Sequence, residues 1–113
     1  RGHPDQVQAL TNDPALLPSA IQEMLRFETP LPSFHRYVSE PIEIRGQSFK
    51  QGDKIGLLYG SANRDPTFIE HPARFDILRP KPRHLAFGRG AHLCLGNHLA
   101  RLNMEVIFRP LIE

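Results

Sequence analysis

Ten residues, FGRGAHLCLG from Phe87 to Gly96, constrain the fold of this chain more than any other stretch. They contain its only cysteine, Cys94, and a helical pattern follows them. A lone cysteine is most often a small buried apolar residue. Ordinary residue frequencies would give this cysteine its particular neighbours only about once in a million cases. Those neighbours are Phe87, Gly88, Gly90, His92 and Gly96. The stretch therefore predicts a specialised loop, in which glycines allow sharp turns and the close approach of a flat ligand.

The helix after this loop is predicted to begin at or just after Cys94 and to end at Pro110. Its apolar residues recur at helical spacing: Leu95, Leu99, Leu102, Val106 and Ile107. The dipole and the free N–H groups at a helix start favour the thiolate form of a cysteine, which is the form that binds metals. We therefore interpret Cys94 as a candidate metal ligand, with Phe87 placed to shield its sulfur from water.

Helical and strand-like patterns alternate in the rest of the chain. One helix is predicted to stop at residues 12–14, and a second, LLPSAIQEMLRF, to stop before residues 29–30. The runs FHRYV, IEI, QSF and KIGLLY predict short strands of one small sheet. Residues 63–86 are rich in proline and lack periodicity, which is typical of a long functional loop. The predicted fold class is α+β, mainly helical with a small β-sheet.

Composition excludes several classes of protein. A chain of 113 residues forms one domain at most. Its net charge of +2 does not indicate a nucleic-acid partner, although seven of its 14 lysines and arginines lie in residues 74–113. One cysteine cannot form an internal disulfide, and we find neither a signal peptide nor an apolar run of membrane-spanning length. We expect a cytoplasmic protein without a membrane partner.

Five segments together resemble one family. FGRGAHLCLG followed by NHLAR is similar to the haem-binding loop of the cytochrome P450 monooxygenases of the soluble bacterial kind. EMLR resembles the Glu-x-x-Arg helix of that family, and HPARFDILRP resembles its meander. SANRDP and HLAFG also match, in the expected order. The resemblance covers about residues 3–111 and implies the proximal, C-terminal part of the family's fold, with residues 1–113 as a haem-binding portion truncated at both ends.

The resemblance implies a haem b cofactor whose iron is ligated by the thiolate of Cys94. It assigns the surroundings of the haem to Phe87, Gly88, Gly90, His92, Gly96 and Arg36, with Arg36 and His92 as partners of the propionates. It implies a structural triad of Glu23, Arg26 and Arg74. It places Leu31 and Phe34 in the substrate pocket. It also implies a basic face for an acidic ferredoxin-type partner, formed by Arg89, Arg101 and Arg109.

The implied activity is a monooxygenase reaction that inserts one oxygen atom from O2 into a small organic substrate. The family's long distal helix, which delivers protons to bound oxygen, has no counterpart in this sequence. We therefore expect the isolated chain to be inactive as an enzyme. We also expect it to self-associate through apolar helix faces that the missing segments would cover.

Two alternatives from other classes stay open. The first is a structural zinc module that uses His92, Cys94 and His98, although such sites usually have four ligands and more sulfur. The second is a catalytically inactive truncated relative that acts as an interaction domain through its basic face. Iron–sulfur and c-type haem sites need more cysteines than this chain has.

Overall fold

The computed structural model describes residues 2–80 and 82–112. Four helices are present in them: α1 (Pro4–Asn12), α2 (Leu17–Phe27), α3 (Tyr59–Ala62) and α4 (Asn97–Ile112). Short 3-10 turns cover Pro14–Leu16 and Gly90–His92. The strands are β1 (Phe34–Tyr37), β2 (Ile42–Ile44), β3 (Gln47–Phe49) and β4 (Lys54–Leu57). The predicted α+β class, mainly helical with a small β component, is confirmed.

The strands form two antiparallel ribbons rather than the single predicted sheet. β1 pairs with β4, so that Phe34 lies opposite Leu57, and β2 pairs with β3. Arg45 and Gly46 join β2 to β3, and both have positive φ, as a tight hairpin turn requires. The β2–β3 hairpin therefore extends from the connection between β1 and β4. It adds no third strand to the β1–β4 pair.

The hydrophobic core is built around α2. Leu17, Ile21 and Leu25 follow one another at helical spacing on the same face and are almost completely buried. Leu10 of α1 and Ile77 of the irregular segment join them. Ala86, which directly precedes the cysteine loop, and partly buried residues of the loop and of α4 pack against this cluster: Phe87, Met104, Phe108 and Ile112. The loop that carries Cys94 is thus attached to the core through Phe87.

The predicted limits of α4 are wrong at both ends. The helix begins at Asn97, three residues after Cys94, and continues through Pro110 to Ile112. Pro110 removes one backbone hydrogen bond, the one that would reach the carbonyl of Val106. Val106 is exposed, so water can satisfy that carbonyl and the last turn persists. At 16 residues α4 is the longest helix described, and no helix among these residues is long and apolar enough to cross a membrane.

Candidate cofactor site around Cys94

The cysteine loop is closed by its own backbone. The N–H of Cys94 donates to the carbonyl of Phe87 at 2.9 Å, which ties the two sides of the loop together. Inside it, the N–H of Leu93 donates to the carbonyl of Gly90 at 3.0 Å and forms the 3-10 turn. The Cys94 side chain is a free thiol in an exposed residue. The loop therefore holds the backbone of Cys94 in place while it presents the sulfur outward.

Two glycines make this closure possible. Gly88 and Gly90 have φ values of +69° and +72°, the left-handed region that other residues rarely adopt. A Cβ on Gly88 would also lie 3.4 Å from the carbonyl oxygen of His92. A Cβ on Gly96 would lie 4.0 Å from the Cys94 sulfur. A side chain at Gly96 would therefore occupy space beside the sulfur.

The sequence analysis assigned Arg101 to an exposed docking face, but the structure turns it inward. Its guanidinium carbon lies 4.6 Å from the centre of the Phe87 ring, a cation–π contact. One guanidinium nitrogen donates to the side-chain oxygen of Asn97 at 2.6 Å and to its carbonyl at 3.2 Å. Arg101 is half-buried, whereas Arg89 and Arg109 are exposed. The reason is that Phe87 and Asn97 give the guanidinium better partners than solvent.

His84 is a half-buried neighbour of the loop that sequence reasoning missed. Burial lowers the pKa of His84 to about 4, with further lowering by the charges of Arg101 and Arg26 and an opposing effect of Glu23. Its Nδ1 accepts from the N–H of Ala86 at 3.2 Å, so Nε2 carries the proton and donates to Gln22 at 3.0 Å. The only signal in the sequence was its place in HLAFG.

Glu23 and Arg26 form a fully buried ion pair. The Nε and one terminal nitrogen of Arg26 donate to the two carboxylate oxygens of Glu23, each at 2.7 Å. The other terminal nitrogen of Arg26 donates to the carbonyls of Asn63 and Pro72, both at 2.9 Å. The N–H of Asp76 donates to Glu23 at 3.0 Å. This cluster joins α2 to the irregular segment.

The third member of the triad is Arg79, and the prediction of Arg74 is wrong. The Nε of Arg79 lies 3.3 Å from the Glu23 carboxylate, and its side chain is 13% exposed. The Arg74 side chain is 67% exposed and lies 3.8 Å from Asp76. Arg74 contributes only its backbone carbonyl, which accepts from both Arg26 and Arg79. At Arg74 the backbone carbonyl faces the buried Glu23–Arg26 pair, so the Arg74 side chain points outward. Arg79 is therefore the arginine that reaches Glu23.

Tyr59 connects the predicted substrate segment to the cysteine loop. The rings of Phe34 and Tyr59 lie 5.8 Å apart, and the hydroxyl of Tyr59 would be 3.7 Å from a Cβ on Gly88. Phe34 and Leu31 are both exposed. The sequence analysis missed Tyr59 as a site residue and gave it only as the last residue of the strand-like run KIGLLY, whereas the structure places it at the start of α3.

The two predicted propionate partners lie on different elements. Arg36 is a half-buried residue of β1, and its guanidinium donates to the neighbouring carbonyl of His35 at 2.9 Å. His92 is exposed at the end of the 3-10 turn. No hydrogen bond joins these two side chains in the described part of the chain. The structure therefore does not bring the two side chains into contact with each other.

Comparison with known proteins identifies the family. The sequence profile described as "Cytochrome P450" matches residues 4–113. This chain belongs to the cytochrome P450 family. It is 46% identical over 110 residues to Cytochrome P450-terp of a Pseudomonas species, covering 97% of this chain and 26% of that protein. It is 42% identical over 111 residues to the biotin biosynthesis cytochrome P450 of Bacillus subtilis, covering 98% of this chain and 28% of that protein.

Solved cytochrome P450 structures have the same fold in the matching part. One is P450BioI in complex with an acyl carrier protein ligated to hexadec-9Z-enoic acid, with a TM-score of 0.94 and 43% identity. That comparison covers 97% of this chain and 29% of the solved one. Another is the substrate-free CYP109E1 of Bacillus megaterium, with a TM-score of 0.93 and 39% identity. The chain thus spans about a quarter of the length of the curated relatives it matches.

Membership of the cytochrome P450 family implies haem, and the residues around Cys94 fit that group. A porphyrin supplies four ligands of its iron, so a single protein sulfur completes a haem-thiolate site. Cys94 offers this sulfur between two exposed apolar side chains, Leu93 at 54% and Leu95 at 99%. A zinc site needs more ligands, and no group of three or more His, Cys, Asp or Glu residues within 2–80 and 82–112 is placed to hold a metal ion.

Proposed function

We propose that residues 1–113 form the haem-binding portion of a haem-thiolate monooxygenase, an oxidoreductase that inserts one atom of O2 into an organic substrate. Cys94 is the thiolate ligand of haem b in this proposal. The observation that carries it is the exposed sulfur of Cys94 on a loop that Gly88 and Gly90 allow to close. The family match supports the reaction class.

The residues of this chain have separate tasks in the proposed site. Cys94 would hold the iron through its sulfur as the thiolate ligand. Phe87, half-buried against the core, shields the sulfur from water on the protein side. Arg36 and His92 donate to the two propionates, since a carboxylate in a pocket needs such donors. When bound, haem supplies the oxygen-activating chemistry, and a thiolate ligand increases the electron density at its iron.

Leu31 and Phe34 are the apolar contacts proposed for the substrate, and Tyr59 holds Phe34 near the cysteine loop. Arg89 and Arg109 are the exposed basic residues proposed to attract an acidic ferredoxin-type partner. Arg101 is not part of this proposed docking surface, because its guanidinium is bound to Asn97. The proposed partner surface is therefore smaller than the sequence suggested.

The ferrous–CO spectrum of the haem-reconstituted chain tests the proposed ligand. The chain is expected to give a thiolate-type Soret band, and Cys94→Ala is expected to abolish it, because the described residues hold no other thiol. His98→Ala is the matched control, since His98 is an exposed side chain near the loop and would be a ligand in the zinc alternative. It is expected to keep the band. A thiolate-type band in Cys94→Ala would refute the assignment.

A second proposal concerns self-association, and the exposed apolar side chains of α4 favour it. Leu99, Leu102 and Val106 are 61%, 55% and 65% exposed. Burying apolar surface contributes about 25 cal/mol per Å², and a two-fold dimer buries the same face twice. Light scattering after size exclusion at micromolar concentration is expected to show a dimer, and Leu102→Glu with Val106→Glu a monomer. A compact monomer of the unaltered chain would contradict this.

A further inference from the structure

We propose that Arg101 and Asn97 together position Cys94 and so hold its sulfur for the iron. This inference rests on the proposed haem-thiolate function, and it replaces the docking role of Arg101. Arg101 is a positioning residue here, because it acts through Asn97 and Phe87 and does not contact Cys94 itself. Four contacts carry the inference, two on each side of the Cys94 backbone.

On the carbonyl side, Asn97 joins Arg101 to Cys94. The side-chain oxygen of Asn97 accepts from Arg101 at 2.6 Å, and its side-chain nitrogen donates to the Cys94 carbonyl at 2.7 Å. An arginine offers no acceptor, so it can face only the oxygen end of the amide, and the nitrogen end must then face Cys94. Asn97 is 8% exposed, so water does not readily replace these bonds. Arg101 therefore selects the orientation in which Asn97 can hold the carbonyl.

On the N–H side of Cys94, Phe87 links Arg101 to Cys94. The guanidinium of Arg101 stacks on the Phe87 ring at 4.6 Å, and the carbonyl of Phe87 accepts from the N–H of Cys94 at 2.9 Å. Arg101 thus contacts both residues that bond to the Cys94 backbone. Cys94, Asn97, Arg101 and Phe87 thus form a closed ring of contacts, which we call the circuit. Rotation of either peptide group of Cys94 must break one of these contacts.

Backbone hydrogen exchange tests this circuit without haem. Arg101→Met and Asn97→Leu are each expected to speed exchange of the Cys94 N–H about tenfold, as loss of a single buried hydrogen bond would. Arg89→Met, which removes an exposed charge from the same loop, is expected to leave the rate unchanged. Because the two residues act in one circuit, the double variant is expected to resemble the single ones rather than multiply their effects.

The haem-reconstituted chain supplies the second readout. Arg101→Met and Asn97→Leu are expected to convert the thiolate-type ferrous–CO band to the thiol-type band about tenfold faster than the unaltered chain. Arg101→Lys is expected to restore the rate only in part, because lysine keeps the charge and a donor but lacks the planar group that stacks on Phe87.

The outcomes separate this inference from the proposed function. If the unaltered chain gives no thiolate-type band, the proposed function fails, and the exchange rates still decide whether the circuit exists. An unchanged exchange rate in Arg101→Met, or multiplied effects in the double variant, overturns the inference. A thiolate-type band as stable in both single variants as in the unaltered chain also overturns it, because Arg101 would then have no effect on how Cys94 holds the iron.

Discussion

Glu23→Ala is expected to lower the free energy of unfolding by about 3–5 kcal/mol, a large part of the stability of a domain this small. The carboxylate of Glu23 and the guanidinium of Arg26 are both completely buried. Removing the carboxylate leaves the charge of Arg26 without its counterion and the N–H of Asp76 without its acceptor. Urea unfolding followed by circular dichroism measures the change. A loss of stability below about 1 kcal/mol would contradict the prediction that Glu23 and Arg26 form a buried, coupled pair.

Arg79→Met and Arg74→Met provide a matched control for this cluster in the same unfolding measurement. Arg79 donates to Glu23 and to the carbonyls of Glu70, His71 and Arg74, so its loss is expected to cost about 2–4 kcal/mol. Arg74 is an exposed side chain, and its loss is expected to cost less than about 0.5 kcal/mol. Equal costs would mean that Arg79 is not the third member of the triad.

Acidification from pH 6.5 to pH 4 is expected to destabilise the chain through His84. The pKa of His84 is lowered from 6.5 to about 4 by burial and by the nearby arginines, so the unfolded chain binds a proton more readily than the folded one in this range. The stability that neutral His84 provides is complete above pH 6.5 and is lost as the pH falls towards 4. We expect this loss to be about 1–2 kcal/mol, because solvent screens part of the effect at a half-buried site.

Urea unfolding between pH 7.5 and pH 4.5 measures this dependence. His84→Gln is expected to lower stability at pH 7.5 and to flatten the slope, because glutamine does not titrate. His98→Gln, at an exposed position on α4, is the control and is expected to keep the slope of the unaltered chain. A slope that His84→Gln leaves unchanged would show that other groups cause the acid sensitivity.

Local sequence patterns were sufficient to place α1, α2, the strands and the cysteine loop, but they missed α3 and the limits of α4. The apolar spacing of Leu17, Ile21 and Leu25 indicated the buried face of α2, and that face forms the centre of the core. The four strand-like runs each became a strand. Their pairing was not predictable in the same way, because alternation within a strand does not say which other strand completes its hydrogen bonds. The turn at Arg45 and Gly46 joins β2 to β3 and leaves β1 to pair with β4.

The sequence by itself determined the family, the glycine-framed loop that presents Cys94, and the Glu23–Arg26 pair, since each depends on residues close together in the chain. Only the tertiary structure decided which arginine joins that pair as the third member of the triad. Arg74 and Arg79 lie in a segment without periodicity, and the path of that segment over α2 decides which of the two side chains points inward. Tertiary structure also decided the role of Arg101. A helix pattern tells which face an arginine occupies, but the Phe87 ring that draws the guanidinium inward comes from another part of the chain.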